Sequence, residues 1–174
     1  MRFAWTFRKT SHFVFSGSSA PMRCFVGEGT ASAHPAVAVA AAVGRPDAHA
    51  GEVPAAYVQL KKGASASEGE LVAFLRREIA ERAALPKHVT IVDAMPLTAV
   101  GKIYKPALKR RATKEALEAA LREADVRFRS LEVVDDPTRG MVAKLEIEDA
   151  AAHDRAREVL GRFPVPFTVS WSTP

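Results

Sequence analysis

The chain has 174 residues, 48% hydrophobic and 26% charged, with a net charge of +5. That is the composition of a globule of one ordinary domain or two small ones. No apolar run approaches the roughly 20 residues of a helical membrane span, and a single cysteine, Cys24, excludes an internal disulfide or a multi-cysteine metal site.

The charge is unevenly spread. Residues 1–34 carry four Lys/Arg and one acid, residues 35–112 carry twelve and seven, and residues 113–174 carry nine and twelve. A basic middle segment points to a polyanionic partner such as a nucleotide, CoA or nucleic acid. The five histidines (His12, His34, His49, His88, His153) are scattered, without the short spacing of a zinc site, so no metal is expected in this chain.

In chain order, residues 1–33 lack helical periodicity. Phe3, Trp5, Phe7, Phe13 and Phe15 stand beside Arg2, Arg8 and Lys9, and the loop signal Ser16-Gly17-Ser18-Ser19-Ala20-Pro21 follows. An acid-poor, basic, serine-containing start is shared by organelle transit peptides, but the plainer expectation is a disordered or unrelated N-terminus. From Pro35 the pattern becomes regular. Val37, Val39, Ala41 and Val43 alternate as a strand, and Gly44-Arg45-Pro46-Asp47 reads as a turn. Residues 53–60 read as a second strand, closed by Lys61-Lys62-Gly63, with Pro54 favouring its first residues or an edge.

Ser67 and Glu70 have the spacing of a capping box. Leu71, Phe74, Leu75, Ile79 and Ala83 then share one helical face, and Pro86 is expected to stop that helix. Residues 89–94 read as a third strand. A loop over 96–105 leads to a short basic helix over about 106–111. Thr113 is expected to cap a fresh helix with Leu117, Ala120, Leu121 and Ala124 inward. A hairpin over 126–134 and 141–147 follows across Asp135-Asp136-Pro137-Thr138-Arg139-Gly140. Asp149 caps a last helix ended by Gly161, and Val165, Phe167, Val169 and Trp171 alternate in a final strand. The expected fold class is α+β: a three-stranded sheet with helices over 34–112, then a small α-β-β-α-β unit over 113–174.

The loop reads Pro96-Leu97-Thr98-Ala99-Val100-Gly101-Lys102-Ile103-Tyr104-Lys105. It resembles the closing motif P-x-T-x-x-G-K-[IV]-x-[RK] of the adenylate-forming enzymes, which include acyl-CoA synthetases. Gly44-Arg45-Pro46-Asp47, Gly51-Glu52-Val53-Pro54, the Ser67 capping box and Pro86-Lys87 follow the order of that superfamily, the fatty-acyl-CoA branch most of all. The resemblance covers roughly 34–112.

It implies the C-terminal lid domain of an ATP-dependent acyl-CoA synthetase. Lys102 would be the adenylation lysine, and Gly101 and Lys105 would be its nucleotide-side neighbours. ATP and CoA would be co-substrates of a full enzyme, with Mg2+ held in a large N-terminal adenylation domain and none of these bound by this chain alone. Cytoplasmic location is implied. The phosphate-loop, aromatic-Gly-x-Thr-Glu and ribose-binding Asp motifs of the large domain are not found. Met22 stands where a phosphate loop would need Lys, and Gly27-Glu28-Gly29 is at most a remnant of the hinge. The expectation is therefore a fragment without ligase activity of its own. An alternative from another class is a non-enzymatic basic module, gripping nucleotide or nucleic-acid phosphates with Lys102, Lys105, Lys109, Arg110, Arg111 and Lys114. Lys61, Lys62, Lys109, Arg110 and Arg111 read first as a solvated basic face, and contact with CoA phosphates is the sharper alternative.

Overall fold

The computed structural model describes residues 31–80 and 82–171. Cys24, the expected loop at 16–21 and the hinge remnant lie outside the described residues. Ala31, within the segment expected to be disordered, is buried in the first core.

Two three-stranded sheets form the frame. In the first, β1 (Val37–Asp47) pairs antiparallel with β2 (Gly51–Leu60), and β2 pairs parallel with β3 (His88–Ile91). The Gly44–Asp47 segment expected to turn is strand instead, in register with residues 51–54 of β2, and the reversal falls on residues 48–50. There the Asp47 carboxylate accepts from the N–H groups of His49 and Ala50, which holds its pKa below the ordinary aspartate value. Pro54 lies one residue before the pairing with β3 begins at Ala55.

Parallel neighbours need a crossover, supplied by helix α1 (Glu68–Glu78). Its capping box is complete. The Ser67 N–H donates to Glu70 Oε2 at 2.7 Å, and the Glu70 N–H donates to Ser67 Oγ at 3.2 Å. The helix ends at Glu78, well short of Pro86, and a 3-10 turn at Arg82–Ala84 fills the interval. Leu71, Leu75 and Ile79 pack on one face of the sheet against Ala56, Val58 and Val89. Burying each such leucine stabilises by about 1.5–3 kcal/mol.

The two helices expected on either side of residue 112 are one. Helix α2 (Lys105–Glu123) runs 19 residues without a break. Thr113, expected as a cap, is fully buried in its middle, and its Oγ1 has no hydrogen-bond partner among the described residues. Leu108 and Ala112 pack on the first sheet with Ala41, Val43 and Tyr57. Leu117 and Leu121 pack on the second. The helix stops in a Schellman arrangement: the Val126 N–H donates to Leu121 O at 2.9 Å and the Asp125 N–H to Arg122 O at 3.0 Å. Asp125 takes the left-handed position (φ 53) where glycine is usual.

The second sheet repeats the connectivity of the first. Strands β4 (Phe128–Asp136) and β5 (Gly140–Ile147) form an antiparallel hairpin, helix α3 (His153–Leu160) crosses over, and β6 (Phe167–Trp171) pairs parallel with β5. Asp149 does cap, but it caps a 3-10 turn (Ala150–Ala152) that leads into α3. Leu131, Ala143, Leu145 and Ile147 meet Ala156, Val159 and Leu160 of α3. The opposite face presents Ser130, Glu132, Lys144 and Thr168 to solvent. The result is a mixed α+β fold of small three-stranded sheets and few helices, as the sequence implies.

Candidate active site

The motif loop is a tight hairpin. Leu97 and Ile103 form an antiparallel bridge, the Tyr104 N–H donates to Pro96 O at 2.8 Å, and the Thr98 N–H donates to Lys102 O at 2.7 Å. The Gly101 N–H closes a turn onto Thr98 O at 2.9 Å. Gly101 itself sits at φ +78, the left-handed conformation that follows the turn in a three-residue hairpin and that suits glycine. The Lys102 N–H donates to Thr98 Oγ1 at 3.1 Å. Thr98 therefore grips the Lys102 backbone from both its main chain and its side chain.

The side chain of Lys102 is exposed, and no ion pair or hydrogen bond engages its ammonium group among the described residues. A fixed backbone with an unengaged cation is the arrangement a group needs when it must reach an anion outside its own domain. Three exposed large apolar side chains stand on the same hairpin: Leu97 (57% exposed), Val100 (79%) and Tyr104 (39%). Sequence reasoning missed these exposed apolar side chains, although all three residues lie inside the motif.

Lys105 opens α2, where the first turn contains no acid and Pro106 follows. A cation at a helix N-terminus opposes the macrodipole by about 0.3–1 kcal/mol. The backbone N–H groups there favour an anion. Gly101, Lys102 and Lys105 thus lie on one short segment, the hairpin and the helix start that it feeds.

Four more cations of the expected basic cluster form ion pairs. Lys109 pairs with Glu52 at 3.3 Å, Arg111 with Glu115 at 2.8 Å, Lys114 with Glu118 at 3.8 Å, and Arg110 with Asp135. Lys61 Nζ donates to Pro35 O. Exposed pairs of this kind stabilise little, but they offset positive charge along α2. They accord with a solvated basic face.

A polar network anchored on a buried tyrosine also escaped sequence reasoning. The Tyr57 hydroxyl donates to Glu115 Oε2 at 2.9 Å while Arg111 Nε donates to Glu115 Oε1 at 2.8 Å. Burial, and then the carboxylate beside it, raise the Tyr57 pKa above the ordinary phenol value, so it stays a donor at any physiological pH. The signal in the sequence was a tyrosine flanked by Ala55, Ala56 and Val58. Among the described residues no group of three or more His, Cys, Asp or Glu is placed to hold a metal. Among the same residues no helix is long and apolar enough to cross a membrane.

A motif hairpin carrying an unengaged lysine lies between a three-stranded sheet and the start of α2, and the fold matches the small C-terminal domain of adenylate-forming enzymes. Residues 28–102 match the AMP-binding enzyme C-terminal domain family, and acyl-CoA synthetases and CoA ligases are among the chain's relatives. Marinolic acid–CoA ligase of Pseudoalteromonas sp. is 37% identical over 136 residues, covering 76% of this chain and 20% of that protein. That length exceeds the 112 residues before Thr113, so the likeness continues into the second sheet's unit. Probable acyl-activating enzyme 21 of Arabidopsis thaliana is 42% identical over 87 residues, 49% of this chain and 16% of that protein. Among solved structures, ATP-bound MatB from Rhodopseudomonas palustris has a TM-score of 0.50 at 29% identity, covering 53% of this chain and 18% of that one. The chain spans a fifth or less of the length of these relatives.

Proposed function

We propose that this chain is the lid of an ATP-dependent acyl-CoA synthetase, with Lys102 as the lysine of the adenylation step. In that reaction a carboxylate oxygen attacks the α-phosphorus of ATP, pyrophosphate leaves, and an acyl-adenylate forms. The thiol of CoA then attacks the acyl carbon and AMP leaves. The first step brings two anions together. An ammonium group between them offsets their repulsion and stabilises the charge that develops at phosphorus. Between the steps the lid turns and withdraws the lysine, the kind of gating by domain rotation that enzymes use to separate half-reactions.

The observation that carries this reading is the hairpin itself. Thr98 fixes the Lys102 backbone, and the ammonium group is left unengaged on a hairpin that also exposes Leu97, Val100 and Tyr104. Leu97, Val100 and Tyr104 would be buried when the hairpin enters the large domain, which would exclude water around the reacting charges. Gly101 supplies the turn, and Lys105 supports the phosphates or the interface. Mg2+ would be held by the large domain. Cytoplasmic ATP and CoA pools fit this role.

The test is a chimera of this chain with a large adenylation domain, each half-reaction measured separately. Lys102→Ala is expected to slow acyl-adenylate formation about a hundredfold or more, and to leave thioester formation from preformed acyl-adenylate unchanged. Lys102→Arg is expected to fail as well, since a planar fork does not replace a compact ammonium. Equal losses in both half-reactions would assign Lys102 to the interface instead. The chain alone is expected to release no pyrophosphate from ATP and a fatty acid, because one lysine does not supply the lost positioning.

A further inference from the structure

Beside α2, on a face away from the hairpin motif, lies a groove of about 490 Å3. Its walls come from both units: the β1–β2 turn and the start of β3 on one side, α3 and its following loop on the other. The floor is the alanine face of α2, with Ala116, Ala119, Ala120 and Ala124, and Val159 and Phe163 continue it.

Arg45, near the end of β1, lines this groove. Its side chain is 14% exposed, and its nearest carboxylate oxygen, on Glu115, is 3.9 Å away. That carboxylate already accepts from Tyr57 and Arg111. Among the described residues the Arg45 guanidinium makes no side-chain hydrogen bond, only the ion pair with Glu115. A guanidinium has five N–H donors and cannot lose its charge. The Arg45 ion pair with Glu115 leaves those donors without hydrogen-bond acceptors in the protein, and an anion in the groove would supply acceptors in place of water.

The remaining charges around the groove are less available. Arg162 donates to Glu158 at 2.9 Å, and Asp47 accepts the two backbone N–H groups of its own turn. Glu123 is exposed at the rim.

We propose that the groove binds a small organic anion with an apolar body. Its carboxylate or phosphate-monoester head is held by the Arg45 fork, and its body lies on the alanine face of α2. A planar fork suits both head groups bidentately. The volume lies within the about 300–1,000 Å3 of small-molecule pockets. This site needs both sheets and uses none of the hairpin residues, so it stands or falls apart from the lid reading.

The experiment is calorimetric titration of the whole chain with hexanoate, hexyl phosphate, inorganic phosphate and hexanol. At least one of the two amphiphilic anions is expected to bind, with inorganic phosphate and hexanol about tenfold weaker or worse. Whichever of the two binds better names the head group. Arg45→Ala and, separately, Ala120→Leu are each expected to weaken that binding about tenfold or more. The second keeps the guanidinium and only fills the floor, so it remains informative if the first fails to fold. No binding by either amphiphile overturns the proposal. Equal binding of hexanol removes the role of Arg45, and equal binding of inorganic phosphate removes that of the alanine face. Retained affinity in a folded Ala120→Leu variant places the ligand elsewhere and overturns it too.

Discussion

Thr113 offers the sharpest test of how the two sheets are joined. It lies fully buried in the middle of α2, and its hydroxyl has no partner among the described residues. A buried, unpaired hydroxyl costs about 1–3 kcal/mol. Thr113→Val keeps the β-branched shape and nearly the same helix propensity while deleting the polar atom. The variant is therefore expected to gain about 1 kcal/mol, the low end of that range, because the replacing methyl must still fit the space the hydroxyl leaves. In a chain of this size that gain raises the thermal midpoint by about 2–4 °C. Thr113→Ser keeps the hydroxyl and deletes the methyl, and should lose about 1 kcal/mol to the small cavity. Urea unfolding of the three proteins, with equal denaturant slopes as the check on two-state behaviour, reads both numbers. If Thr113 instead capped a separate helix, the valine variant would lose about 1 kcal/mol. A loss in Thr113→Val would refute the continuous-helix argument.

Two further perturbations read local features. Gly101→Ala places a Cβ at φ +78, where open space surrounds it but the backbone conformation disfavours it, so a cost of about 1 kcal/mol is expected in the hairpin. In the chimera the same change should slow adenylation more than thioester formation, since the displaced residue is Lys102. His88 titrates low because partial burial, and then Arg45 and Lys87, disfavour its charged form. A depressed pKa in the folded state gives stability that is present above the ordinary histidine value of about 6.5 and is lost as pH falls below it. Urea midpoints should therefore drop as pH is lowered from 7 to 5, and His88→Gln should flatten that drop. An unchanged slope in the variant would mean that another group carries the pH dependence.

What was legible in the sequence was whatever rests on local patterns. The capping box at Ser67 and Glu70 is a contact between residues three apart, and it forms as read. The alternation in β2 divides Tyr57 from Ala56 and Val58, and those side chains do enter cores on opposite faces of the sheet. Lys102 was singled out by its motif, and it stands on an exposed hairpin. Illegible was whatever tertiary packing decides. Gly44-Arg45-Pro46-Asp47 has turn chemistry, yet ladder pairing with β2 holds it extended. Thr113 has the composition of a cap, yet the two cores on either side of it keep the helix going. The Tyr57–Glu115 bond spans 58 residues, and no local pattern announces it.

The continuity of α2 bears on how any large domain must accommodate this chain. The helix starts at the foot of the lysine hairpin, packs its first half on one sheet and its second half on the other, and contains no glycine or proline after Pro106. Ion pairs cross between the units as well: Arg110, on the half that meets the first sheet, reaches Asp135 of β4, and Arg45 of β1 faces Glu115. A helix of this kind has no hinge at which the chain can absorb a change of backbone angle. If the hairpin swings between two orientations, the second sheet swings with it as one body. A large domain that accepts this lid must then clear the second sheet in both orientations, and one built for a lid that ends at the motif lysine has had no reason to do so. The likeness to marinolic acid–CoA ligase runs past the motif and into the second unit, so the large domain of that protein is the fitting partner for the chimera. A large domain from a relative matched only over the first unit is expected to clash, and to show loss of activity even with Lys102 intact.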